Sequence, residues 1–210
     1  MIYEFCAENF TLIEKAMEAG ARRIELCDNL AVGGTTPSYG VTKAAVELAA
    51  NYETTIMTMI RPRGGDFVYT NQEVAIMLDD IRLTAQAGSQ GVVFGALTAD
   101  NKLDKFNLEK LIAASNGMEI VFHMAFDELS EQDQLEAIDW LSQAGVKRIL
   151  TRAGVSGDSL EKRFSRYQRL LDYATGKIEI LPGGAIDMDN RQEFIDRLGV
   201  NQLHGTKVVF

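Results

Sequence analysis

The 210-residue sequence holds only two cysteines and two histidines, and its 21 basic residues are outnumbered by 30 acidic ones, giving a formal net charge of −9. That deficit of positive charge excludes the concentrated basic face that phosphate-backbone binding demands, so no nucleic-acid partner is expected. No apolar run approaches the ~20 residues that span a bilayer. The opening Met1–Cys6 also lacks a basic segment ahead of an apolar core, so no membrane partner is expected and a cytoplasmic location is. In a reducing compartment Cys6 and Cys27 are expected as free thiols. They form no Cys-x-x-Cys and no dense Cys/His cluster, so spacing alone names no metal. Low-complexity segments, a Pro/Ser linker and a shift of composition are missing too. Residues 1–210 are therefore expected to form one domain.

What is present is rhythm. Four times a helical pattern ends in a small or apolar residue plus glycine, at Ala19-Gly20, Ala87-Gly88, Ala144-Gly145 and Leu198-Gly199, and a short apolar strand follows. Those strands are predicted at 23–27, 91–95, 147–151 and 201–204. Four more fall between them at 3–6, 55–60, 119–123 and 178–181. The connecting segments read as amphipathic helices, one opened by Ser130-Glu131-Gln132-Asp133 in the manner of a capping box, with Asn9 and Asn71 opening two others. Strict alternation of strand and helix forces a parallel sheet, because parallel neighbours need crossovers and the helices must cover the sheet. Eight near-equal units point to an α/β fold, a small (β/α)8 TIM barrel, with a doubly wound open sheet as the alternative. After His204 only residues 205–210 remain, so the last helix is expected to be short or missing. An uncovered patch is then expected beside strands eight and one, and with it a homo-oligomer, a dimer, that covers it.

Ligands of such barrels bind where the strands end. Residues two apart on a strand share a face, so Glu4 with Cys6, and Glu25 with Cys27, each present a carboxylate and a thiol together. Both histidines, His123 and His204, fall at strand tips. One reading makes this mouth a site for a small anionic molecule bearing phosphate or carboxylate. Arg61, Arg63, Asp66 and His204 would line it, the turns at Gly183, Gly184 and Gly205 would cradle the anion, and His123, Asp127, Glu25 and Glu4 would handle protons. The plain alternative is a buried salt-bridge network of Arg61, Glu25, Asp66 and Asp127 that fixes the mouth, with the glycines serving turn geometry. The segment 33–38 reads as a lid or as a simple βα loop. Phe67 and Tyr69 are expected to wall the pocket.

Three blocks in this sequence, Arg61-Pro62-Arg63-Gly64-Gly65-Asp66-Phe67, Phe122-His123-x-Ala125-Phe126-Asp127 and Gly33-Gly34-x-Thr36-Pro37-Ser38, resemble the signature blocks of the CutC family. Glu4 with Cys6, and Glu25-Leu26-Cys27, resemble its opening, and the match spans most of the chain in order. The resemblance implies a cytoplasmic TIM barrel tied to copper homeostasis, with copper(I) bound at Cys6 and Cys27. Copper(I) prefers thiolate and thioether donors, and cysteines on adjacent strands could converge with Met57 or Met59 as a third. Otherwise the two cysteines are small buried hydrophobes and the methionines gap fillers.

Overall fold

The computed structural model describes residues 1–155 and 157–210. Among the described residues eight strands alternate with seven α-helices: β1 Ile2–Glu8, α1 Ile13–Glu18, β2 Arg23–Cys27, α2 Tyr39–Ala49, β3 Thr55–Met59, α3 Asn71–Ala87, β4 Gly91–Phe94, α4 Lys105–Ala114, β5 Glu119–Phe122, α5 Glu131–Gln143, β6 Arg148–Thr151, α6 Leu160–Ala174, β7 Glu179–Pro182, α7 Arg191–Leu198 and β8 Gln202–Gly205. All ladders are parallel and run in the order β7-β6-β5-β4-β3-β2-β1-β8. This is the expected (β/α)8 TIM barrel. Among the described residues the β7–β8 seam carries no ladder; Gln202 Nε2 closes it by donating to Glu179 Oε2 at 3.2 Å.

Side chains alternate across each strand, which splits the apolar residues into two sets. Phe5, Ile24, Ile56 and Phe94 face outward into a large core shared with the helices. Met57, Val93, Val121, Leu150 and Leu181 face inward and fill the barrel together with Cys6, Cys27 and Met59. The N-terminal end of the barrel is plugged by a polar chain. Arg23 pairs with Glu4 and donates to Gln202, and Arg148 joins Glu179 to Glu119. Each buried charge there has an opposite partner, the condition under which burying it is tolerable.

The helix starts follow side-chain caps. Ser38, Ser130 and Ser159 accept backbone N–H groups of their first turns, and Thr70 with Glu73 forms a reciprocal capping box. Two expected openers are corrected. Asn71 is already inside α3, one residue past its cap, and α1 starts four residues after Asn9, whose φ of 56° bends the chain out of β1.

Among the described residues no eighth helix follows β8, as expected, but the uncovered patch beside β8 and β1 is not found. Residues 206–210 fold back over it: Val208 and Val209 are buried, and the Phe210 ring lies 5.3 Å from Phe5 on the outer face of β1. Arg191 clamps this tail by donating to the Val208 carbonyl at 2.6 Å. An extended tail with three apolar side chains thus does the work of the helix that the residue count excludes.

Candidate functional site

Parallel register sets the site. Cys6 lies opposite Glu25 across β1 and β2, while Glu4 lies opposite His204 across β1 and β8. Inward parity then brings Glu4, Cys6, Glu25, Cys27 and His204 together inside the barrel, all buried. One ligand atom from each of Cys6, Glu25 and Cys27 lies within 4.8 Å of the others, and the same holds for Glu4, Glu25 and His204. The Cys6 thiol is 3.2 Å from Glu25 Oε2 and the Cys27 thiol 3.7 Å from the same oxygen. Glu25 Oε1 is buried without a partner. His204 donates from Nδ1 to Glu4 Oε1 at 2.7 Å, and its Nε2 stands 3.7 Å from Glu25 Oε2.

These contacts pull the acidities apart. Burial raises the Glu4 carboxyl, but the Arg23 guanidinium and the hydrogen bond from His204 outweigh it and hold the group at about 2. Burial likewise disfavours a charge on His204, and the carboxylate of Glu25, with Cys6 and Glu4, overrides it and pushes the imidazole well up. Cys6 is held well below an ordinary thiol by its hydrogen bond with Cys27, against burial and with help from His204. Cys27 moves the opposite way, raised by donating to Cys6 and by burial. Burial pushes the Glu25 carboxyl well up. The two thiols are thus shifted in opposite directions beside an imidazole that a carboxylate holds in place. Chemically this is a soft donor pair with a nearby proton acceptor.

Above the pair a cavity of about 210 Å³ opens at the C-terminal mouth. Cys6, Glu25 and His204 form part of its wall, with Arg61, Phe67 and His123 facing them. Phe67 walls it as expected, whereas Tyr69 is buried outside it. Arg61 does not enter the expected salt-bridge network. Its Nη1 donates to the carbonyls of Val32 and Gly34 and its Nη2 to that of Gly65. The bond to Gly34 ties Arg61 to the 33–38 segment, in which Thr35 also bridges to Asp28, the contacts of a βα loop. Gly34, at φ 87°, rests against Cys27; a Cβ there would stand 3.1 Å from the Cys27 sulfur.

Several expected residues are not brought into the cavity. Arg63 is taken up by Asp66 at 3.0 Å and Glu73 at 2.5 Å, outside the barrel. Asp127 accepts from the Thr151 hydroxyl and the Arg152 N–H, and burial against those bonds pushes it up to about 6. The expected glycine cradle is not formed. Gly183 N–H goes to the Thr151 carbonyl, and the carbonyls of Gly183 and Gly184 accept from Arg163. Gly205 is held by close approach, since a Cβ would meet the Ile186 carbonyl at 2.2 Å. Of the two methionines, Met59 reaches the cavity and Met57 packs against Gly91. One residue escaped the sequence reading: Arg23, which fixes Glu4. Its position two before Glu25 on an inward face is the signal that could have found it.

Comparison with known proteins bears on this geometry. The model of the CutC family matches residues 1–209. A CutC family protein of Enterococcus faecalis is 50% identical over 209 residues, covering 100% of both chains. A human protein named copper homeostasis protein cutC homolog is 37% identical, covering 97% of this chain and 72% of its own. A crystal structure of CutC from Streptococcus agalactiae superposes with a TM-score of 0.95 at 42% identity, over 99% of each chain. A deoxyribose-phosphate aldolase-like structure from Coccidioides immitis, at 13% identity and a TM-score of 0.70, shares the fold alone.

Proposed function

The chain belongs to the CutC family, and from that premise we propose that it serves copper homeostasis by binding copper(I) between Cys6 and Cys27, in the cytoplasm, where thiols stay reduced. The observation that carries this reading is the convergence of both thiols on one carboxylate inside the barrel, with ligand atoms within 4.8 Å of one another. No helix among the described residues is long and apolar enough to cross a membrane.

The donor set fits the ion. Copper(I) is soft and suited to thiolate donors, and Met59, Val93 and Leu181 belong to the apolar cluster that contains the pair. Cys6 supplies the first thiolate. Cys27 would supply the second thiolate, releasing its proton on binding. Two thiolates around a single positive ion leave one negative charge, which the His204 cation, oriented by Glu4, offsets. Arg23 keeps Glu4 ionised from the other side.

X-ray absorption at the copper edge of protein loaded anaerobically tests this directly. A first shell of sulfur is expected, with a sulfur replaced by a lighter scatterer in Cys27→Ser. A shell of nitrogen and oxygen alone, unchanged by the substitution, would overturn the proposal.

A further inference from the structure

Two polar atoms at the mouth have no use in holding the fold or the copper pair. Arg61 is 4% exposed and forms no ion pair among the described residues; its terminal nitrogens are spent on loop carbonyls and its Nε is buried without a partner. His123 is also 4% exposed, and its Nδ1 accepts the Ala125 N–H at 3.2 Å, which places the proton on Nε2 in the neutral ring. That Nε2 is buried without a partner too. Both side chains line the same cavity of about 210 Å³. Both orphaned groups are donors, and one belongs to a cation with no counter-ion.

We propose that this cavity binds a small organic carboxylate with an apolar tail, its two oxygens accepting from Arg61 Nε–H and His123 Nε2–H. A guanidinium buried without an opposite charge and a buried donor without an acceptor are both unfavourable. A bound carboxylate removes both penalties at once. A phosphate does not match: it presents three or more oxygens and needs a nest of donors, while the nearby Gly183 N–H is already committed to the Thr151 carbonyl. The rest of the wall asks for an apolar tail, because Leu30, Met59, Phe67, Met124 and Leu150 supply it. The volume equals that of roughly seven waters at ~30 Å³ each, room for a small metabolite and too little for a peptide.

The two donors are held rigidly, as recognition requires. The guanidinium lies 4.9 Å from the Phe67 ring centre, and the His123 ring sits 4.8 Å from the same ring. Gly95 presses on the other side of the imidazole, where a Cβ would come within 2.7 Å. Burial, with the adjacent Arg61 cation, holds His123 neutral, down to about 3, so its Nε2 stays a donor without adding charge. Across the cavity Glu25 and His204 stand 3.7 Å apart, and Arg61 is the cation on the facing wall. The inference uses Arg61 and His123 and stands apart from the copper reading.

Calorimetric titration of the copper-free protein with butyrate, butyramide and inorganic phosphate tests it. Butyrate is expected to bind saturably, with butyramide and phosphate weaker by at least about tenfold, the worth of a charge-assisted hydrogen bond. His123→Phe, which keeps the ring packing and loses the donor, is expected to weaken butyrate by about tenfold, and Arg61→Lys by as much. Arg61 also pins three loop carbonyls, so if Arg61→Lys does not fold, His123→Phe and the butyrate–butyramide pair on the native protein decide. Butyramide binding as tightly as butyrate, phosphate binding more tightly, undiminished binding in His123→Phe, or no saturable butyrate binding would each overturn the proposal.

Discussion

Cys6 and Cys27 carry the same side chain and are shifted in opposite directions, Cys6 well below an ordinary thiol and Cys27 well above it, because each stands against the other thiol and against the same Glu25 oxygen in a buried setting. Position decides chemistry in the same way at His123. Burial first, and the Arg61 cation second, move its imidazole from the ordinary 6.5 to about 3. A depressed folded-state value stabilises the fold above 6.5 and is lost as pH falls from 6.5 towards 3. Urea unfolding at pH 7 and pH 5 is therefore expected to show the native protein losing about 2 kcal/mol more than His123→Phe over that interval, from one proton at ~1.4 kcal/mol per unit. Equal losses would place the imidazole in water. At this scale the sequence reading found the thiols, Glu4, Glu25 and both histidines, because strand parity alone puts them inside. It could not see which atoms neighbours consume. Arg61 looked like an ion-pair partner and instead bonds carbonyls, and Arg63 and Asp127 stand at strand tips yet spend their charges on Glu73 and on Thr151.

Among the elements, the strands and most helices were readable from periodicity and their glycine stops, since each glycine that closes a helix carries a left-handed φ of 64° to 99°. The helix starts were read less well. Thr70 and Glu73 form the capping box of α3, three residues apart as the motif demands, while the neighbouring Asn71 drew the assignment. The role of the 33–38 loop was hidden for another reason: what fixes it is Arg61, 25 residues after Thr36, and local pattern carries no such information. This loop gives a test of the site with an internal control. Gly34 and Gly20 have φ of 87° and 99°, but a Cβ at Gly34 presses on the Cys27 sulfur at 3.1 Å and one at Gly20 meets nothing. Gly34→Ala and Gly20→Ala are each expected to cost about 1–2 kcal/mol of stability through backbone strain. Only Gly34→Ala is expected to weaken copper(I) binding. Equal copper affinity in the two variants would remove the loop from the site.

The whole molecule is a barrel of minimal length. Its closure depends on side chains at the β7–β8 seam, and its eighth outer layer is an extended tail. Local pattern could not show that Val208, Val209 and Phe210 would turn back onto β1, because the contacts that hold them come from Arg191 of α7 and Lys15 of α1. With the tail in place, the patch that motivated a dimer is filled by the chain itself. The polar plug lies at one end of the barrel, and the cavity opens at the other, above the thiol pair. The claim that this interior holds copper(I) is tested most directly by an anaerobic competition titration against a chromogenic copper(I) chelator, run on the native protein and on the Cys6→Ser, Cys27→Ser double variant. The account predicts that the native protein removes one equivalent of copper from the chelator and the variant none; equal withdrawal by both, or by neither, would contradict it.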